Sequence, residues 1–310
     1  MTGRTDLLPS LAIVVAAVLW GCWWIPLRAL DARGLSGDWA TVGLGLMAAL
    51  LMLPAAAARW RSLRAGGWPV LLVGGLAGAA MATWNHAIIG GDVVRVTLLF
   101  YLAPIWATGL AVAVLGERLE ALRVLAIALG LGGAAVVLGF EGGVPVPRSE
   151  AEWMALGSGV LFALAATCAR RVGDVAGFEK TFVTFASAAA VAVLFAALPP
   201  AAPVPAVAAA LAALPLLLAV AGLLFIPLMG LILWAAGRLD PGRVSVLLLF
   251  EVAAATVSAT LLTDEPFGWR EAAGCLLIVG AGVVEGVAAM RRGYPGTRAA
   301  PVAALESAED

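Results

Sequence analysis

Charge is what this sequence has least of. Aspartate, glutamate, lysine and arginine make up 13% of its 310 residues, about half the share of a soluble domain. The net charge of −1 leaves no basic surplus for a nucleic-acid partner. Histidine occurs once, as His86, and cysteine three times, as Cys22, Cys168 and Cys275. The cysteines stand singly in apolar segments without a CxxC, so neither a disulfide framework nor a thiolate metal site is encoded. One histidine without cysteine or carboxylate neighbours in sequence is a poor metal site, and no cofactor is expected. Walker, HExxH and GxSxG motifs are also missing. Their absence argues against ATP as an energy source and against an intramembrane enzyme. No stretch is long and polar enough for the effector domain that a membrane sensor would carry.

What fills the chain instead is apolar: 63% of residues are hydrophobic and the mean hydropathy is +1.01. A membrane helix takes about 20 residues, and the hydrophobic pattern predicts ten, at 8–28, 39–59, 68–89, 94–116, 122–140, 153–170, 180–198, 208–236, 244–263 and 271–290. The first continues through Trp20–Leu27, too long for a signal-peptide core, and reads as an uncleaved span. Trp39, Trp60, Trp68, Trp153 and Trp269 stand at segment ends, as interfacial anchors do. Pro26, Pro104, Pro215 and Pro227 fall inside spans and mark places for kinks. With a cytoplasmic N-terminus, all Lys and Arg fall in inside loops except Arg28, Arg33, Arg95, Arg148 and Arg270. This bias predicts that both termini are cytoplasmic, in an inner or plasma membrane.

The second half repeats part of the first. At an offset of 148 residues, Asp92 falls on Asp240, Arg95 on Arg243, Thr108 on Thr256 and Glu117 on Glu265, without a gap. Apolar matches arise by chance in such a composition, but charged ones are too scarce for that. The repeat unit holds five helices, an odd number, so its second copy enters the bilayer from the opposite side. The expected fold class is therefore an all-α integral membrane protein of ten transmembrane helices in two inverted five-helix repeats. The units are 1–140 and 150–292, followed by a disordered cytoplasmic tail, 293–310.

The residues that carry the repeat also carry a likeness. Leu98-Leu99-Phe100-Tyr101-Leu102-Ala103-Pro104 and Leu115-Gly116-Glu117 in the first half, with Leu247-Leu248-Leu249-Phe250-Glu251-Val252 and Thr263-Asp264-Glu265-Pro266 in the second, resemble the drug/metabolite transporter superfamily and its ten-helix EamA-type members. The resemblance implies a bundle in which helices 1, 3, 4, 6, 8 and 9 line a central cavity and the others surround it. Val252 stands where that family usually has proline, and Glu251 is a carboxylate outside its general motif.

Glu251 lies about eight residues into the ninth span, roughly 12 Å at 1.5 Å per residue. A carboxylate there is costly unless protonated, paired or hydrated. It is the candidate coupling or proton site, the other reading being a structural carboxyl bonded between helices. Thr97, Tyr101, Pro104 and Thr108 share one face of the fourth span, which either lines a cavity or bonds a neighbouring helix. Thr256 joins them through the repeat. Trp84, Asn85 and His86 stand together near the end of the third span, where substrate contact and gating compete with a plain interfacial role. Trp20, Trp24 and Trp234 either stack on a substrate or pack against helices and lipid. Asp92 with Arg95, and Asp240 with Arg243, place an acid before a base at a helix start: a helix cap or a pair of gates.

The function expected is a secondary transporter working by alternating access on a small-molecule substrate. It is read as an exporter of small metabolites such as amino acids, or of organic cations, with the proton as a candidate coupling ion and the lipid bilayer as its other partner. A nucleotide-sugar carrier of the same superfamily is the alternative, weakened by the lack of a basic phosphate-binding cluster.

Overall fold

The computed structural model describes residues 7–35, 37–91, 93–138, 146–173, 177–198, 203–262 and 267–292. Asp92 and the tail 293–310 lie outside the described residues. Among those described, every regular element is a helix, and ten helices are long and apolar enough to cross a membrane. They are α1 (Leu7–Asp31), α2 (Asp38–Ala58), α3 (Trp60–Gly90), α4 (Arg95–Leu115), α5 (Ala121–Leu138), α6 (Glu150–Val172), α7 (Gly177–Ala197), α8 (Val207–Ala236), α9 (Pro241–Leu262) and α10 (Trp269–Ala288). Each covers one span expected from hydropathy. The apolar residues left outside are those a bilayer solvates: Leu223 is 83% exposed and Leu261 76%.

Five of the spans are not continuous; in α3 the helix kinks at Gly67, whose φ is 56°. In α1 the helix breaks at Cys22–Trp23. Pro26 has no N–H for the Cys22 carbonyl and its ring crowds that oxygen, so Ile25 donates to it instead at 3.1 Å. In α8, a π turn at Ala221–Phe225 precedes Pro227 for the same steric reason. α4 consists of two helices, Val93–Phe100, which begins two residues ahead of the span, and Ala103–Leu115, and Pro104 denies the Phe100 carbonyl its helical donor. α9 divides into Pro241–Leu248 and Phe250–Leu262. The offset of 148 carries Tyr101, at the α4 break, onto Leu249, at the α9 break. No proline imposes the second break: Val252 occupies that place. It is closed by short-range bonds, Leu249 N–H to Val246 at 3.1 Å and Val252 N–H to Leu249 at 3.0 Å.

α2 packs against α7, α4 against α9 and α5 against α10, the pairs that the expected repeat relates. α5 and α10 run antiparallel. Arg123 at the start of α5 bonds Glu285 late in α10, whereas Arg270 at the start of α10 donates to the Val136 carbonyl late in α5 at 2.9 Å. Glycine allows the closest approaches. A Cβ at Gly133 would stand 2.7 Å from the Gly274 carbonyl, and one at Gly78 would stand 2.2 Å from the Thr184 carbonyl of α7. Small residues of this kind let membrane helices gain van der Waals contact where lipid offers no hydrophobic drive.

Candidate functional site

The breaks in α4 and α9 face one another across a central cavity of about 90 Å³. Roughly 10–15 Å³ of such space seats one water, so several waters or a small organic group fit. Its wall comes from α1, α3, α4, α6, α8 and α9, the six helices that the family resemblance implies. Most of it is apolar or aromatic. Trp84 packs on Phe100 with ring centroids 4.4 Å apart. Phe100 in turn meets Tyr101 at 5.4 Å and Phe162 at 6.3 Å, and Trp20 closes another side.

Glu251 is the one charged residue among those that line this cavity. It stands in the first turn of the helix that restarts at Phe250, where the positive end of the helix dipole favours an anion. Tyr101, on the broken stretch of α4, lines the same cavity. Helix α1 closes over the same turn, since a Cβ on Gly21 would stand 2.5 Å from the Glu251 carbonyl. The opposite restart, at Ala103, is a weak anion site. Pro104 has no N–H, and Ile105 donates to the Leu102 carbonyl at 2.9 Å.

Of the residues singled out in the sequence, Trp20, Trp84, Tyr101 and Glu251 line the cavity together, and Pro104 and Ser245 join them. The others are placed elsewhere. Trp24 donates to Ser258 at 3.1 Å and lies under the Arg28 guanidinium at 4.7 Å. Asn85 donates to Thr41 at 3.0 Å. His86 pairs with Asp38 at 3.0 Å and stacks on Phe195. Thr97 and Thr108 are buried beside the wall rather than in it. Thr256 returns its hydroxyl to the Val252 carbonyl at 2.8 Å, and Trp234 stacks under Arg238 at 4.2 Å.

The polar residues at the helix starts are joined in ways that sequence reasoning did not foresee. Asp240 caps α9, accepting the Arg243 N–H at 2.8 Å, and also pairs with Arg123 at 2.7 Å. Arg123 continues to Glu285, with contacts of 3.1 and 3.2 Å. All three side chains are buried, so one cluster ties the start of α9 to α5 and α10. Arg243 is buried beside Asp240. At the start of α4, Arg95 makes a two-pronged bond to Glu152 of α6, at 2.7 and 3.0 Å, and donates to the Val146 carbonyl at 3.1 Å. Glu285 had a legible signal, a carboxylate inside an apolar span. Arg123 did not, because an arginine at a helix start usually snorkels to water.

Residues 7–139 match the model of the EamA-like transporter family. A solved crystal structure of a protein superposes with a TM-score of 0.70 at 23% identity, covering 91% of this chain and 99% of that one. It is one of 29 solved chains that match, and the likeness is one of fold. No curated protein matches by sequence.

Proposed function

We propose that this chain, whose residues 7–139 match the model of the EamA-like transporter family, is a transporter that exports small organic cations in exchange for protons. The observation that carries the reading is the cavity itself: a single carboxylate, Glu251, set in a wall of Trp20, Trp84, Phe100 and Phe162. An ammonium ion finds there a counter-charge and aromatic faces, each worth about 0.5–2 kcal/mol to a desolvated cation. A proton finds the same carboxylate. The two therefore compete, and competition for one site in an alternating-access carrier is exchange. An amino acid is served less well, because its carboxylate would meet no basic side chain among the lining residues. The nucleotide-sugar reading fails on the same ground.

The chain is read as two repeats, 1–140 and 150–292, in an inner or plasma membrane with both termini cytoplasmic. The gates are the first segments of α4 and α9. Each is eight residues long, ends at a break beside the cavity, and is fastened at its far end by ions. In this orientation Arg95–Glu152 fastens the outer end and Arg123–Asp240–Glu285 the inner end. Opening one while the other holds exposes Glu251 to one side at a time.

Reconstitution in liposomes with an internal pH dye tests the reading. A gradient of phenethylamine drives protons the other way, the zwitterion phenylalanine does not, and Glu251→Gln abolishes the proton movement. Equal proton movement with phenylalanine, or with Glu251→Gln, overturns it.

A further inference from the structure

Three of the residues that border the central cavity carry a side-chain oxygen: Tyr101, Ser245 and Glu251. Ser245 and Glu251 stand on either side of the α9 break, one in Pro241–Leu248 and the other in Phe250–Leu262. The expected repeat sets Thr97 against Ser245 and Ala103 against Glu251. Alanine has no oxygen, and Thr97 does not border the cavity, so the polar pair belongs to α9 alone. Resting on the exchange reading above, we propose that Ser245 is a specificity-determining residue. It selects ammonium ions that carry N–H groups over fully alkylated ones, and with Glu251 it holds them across the α9 break.

A serine hydroxyl has one proton to give and two lone pairs that accept. Ser245 gives its proton to the Pro241 carbonyl at 3.0 Å, and the residue is only 3% exposed. What it offers the cavity is therefore an acceptor. Glu251, when ionised, is an acceptor as well. The Tyr101 phenol can donate or accept, so it does not by itself discriminate. An ammonium ion in a space of about 90 Å³ has both acceptors on its border, and each N–H it carries can satisfy one of them. Hydrogen bonds from such a cation are the strong ones.

Each N-methyl group replaces one donor with a bulkier apolar group, and a quaternary ion has no donor left. The aromatic wall cannot make this distinction, because a cation over a ring needs only its charge. Trp20, Trp84, Phe100 and Phe162 therefore serve primary and quaternary ions alike. A site that hydrogen-bonds its ligand rejects an analogue lacking the donor more strongly than an apolar pocket rejects an extra methyl. An ammonium ion bonded to both oxygens also links the two segments of α9, which a quaternary ion cannot do.

Calorimetry on the purified protein, at a pH where every ligand is a cation, compares phenethylamine with its N-methyl, N,N-dimethyl and N,N,N-trimethyl derivatives. The wild type is expected to bind them in that order, with Kd rising at least tenfold from the primary amine to the quaternary ion. Ser245→Ala should weaken phenethylamine at least fivefold and the quaternary ion less than twofold, which compresses the series. The steady Kd of the quaternary ion also reports that the variant is folded. The wild-type series is itself a test that needs no variant: a quaternary ion bound as tightly as phenethylamine overturns the proposal. So does a Ser245→Ala protein in which all the ligands weaken equally, because that marks a packing role. A wild type that shows the series but moves no protons with phenethylamine in liposomes overturns the exchange reading and leaves Ser245 in its role. Binding of none of the ligands by folded protein overturns both.

Discussion

Trp84 and Trp24 separate cavity chemistry from packing. Trp84 lines the cavity, so Trp84→Ala is expected to weaken amine binding about tenfold, or about 1.4 kcal/mol, within the range of a cation–π contact. Trp24 is engaged with Ser258 and Arg28 outside the cavity, and Trp24→Ala should change the Kd less than twofold. Calorimetry on purified protein measures both. In the proposed exchange a proton and a cation compete for Glu251, and amine affinity is then expected to fall as pH is lowered through the titration of that carboxyl and to level off above it. In Glu251→Gln the dependence should vanish. The sequence singled out both tryptophans for the same reason, their position in a span. Only the fold distinguishes them, because one indole faces the cavity and the other faces Ser258.

Glycines show the same contrast at the scale of a helix. Gly78 abuts α7 so closely that a Cβ would stand 2.0 Å from the Ser187 hydroxyl. Gly78→Ala is expected to destabilise by about 1–3 kcal/mol, the usual cost of overpacking. Gly75, three residues away, would have nothing within 4 Å of its Cβ. Gly75→Ala should be neutral or slightly stabilising through helix propensity. Thermal unfolding in detergent distinguishes the two. The breaks in α4 and α9 were only half legible in advance. Pro104 marks the first, but the second has no proline and is visible only as the repeat counterpart of Tyr101. Nor did the helical face of Thr97, Tyr101, Pro104 and Thr108 survive intact. The stripe assumes one continuous helix, and the break at Tyr101 resets its phase, so the threonines pack beside the wall while Tyr101 and Pro104 reach the cavity.

Across the whole molecule, two groups of ions fasten opposite ends of the bundle. Arg123→Gln leaves Asp240 and Glu285 without their shared cation, a loss of about 3–5 kcal/mol for a buried pair, to be read as a lower unfolding midpoint. Arg95→Glu sets like charges against Glu152 and should hold the carrier open at that end. The double exchange Arg95→Glu/Glu152→Arg should restore the balance. Labelling of a single cysteine placed at the cavity, applied from either side of the membrane, measures the shift. The paired packing of α2 with α7, α4 with α9 and α5 with α10 is the contact between halves that the proposed alternation would rearrange.

Sequence alone was enough for the membrane class and for the number and position of the spans, because hydropathy is a local property of about 20 residues. Tertiary structure alone decided which cavity Glu251 faces and that Arg123 joins Asp240 to Glu285. The two Arg123 contacts join residues 117 and 162 positions apart. They depend on how helices are rotated and broken, which close packing of small residues and carbonyls sets and which no local pattern records.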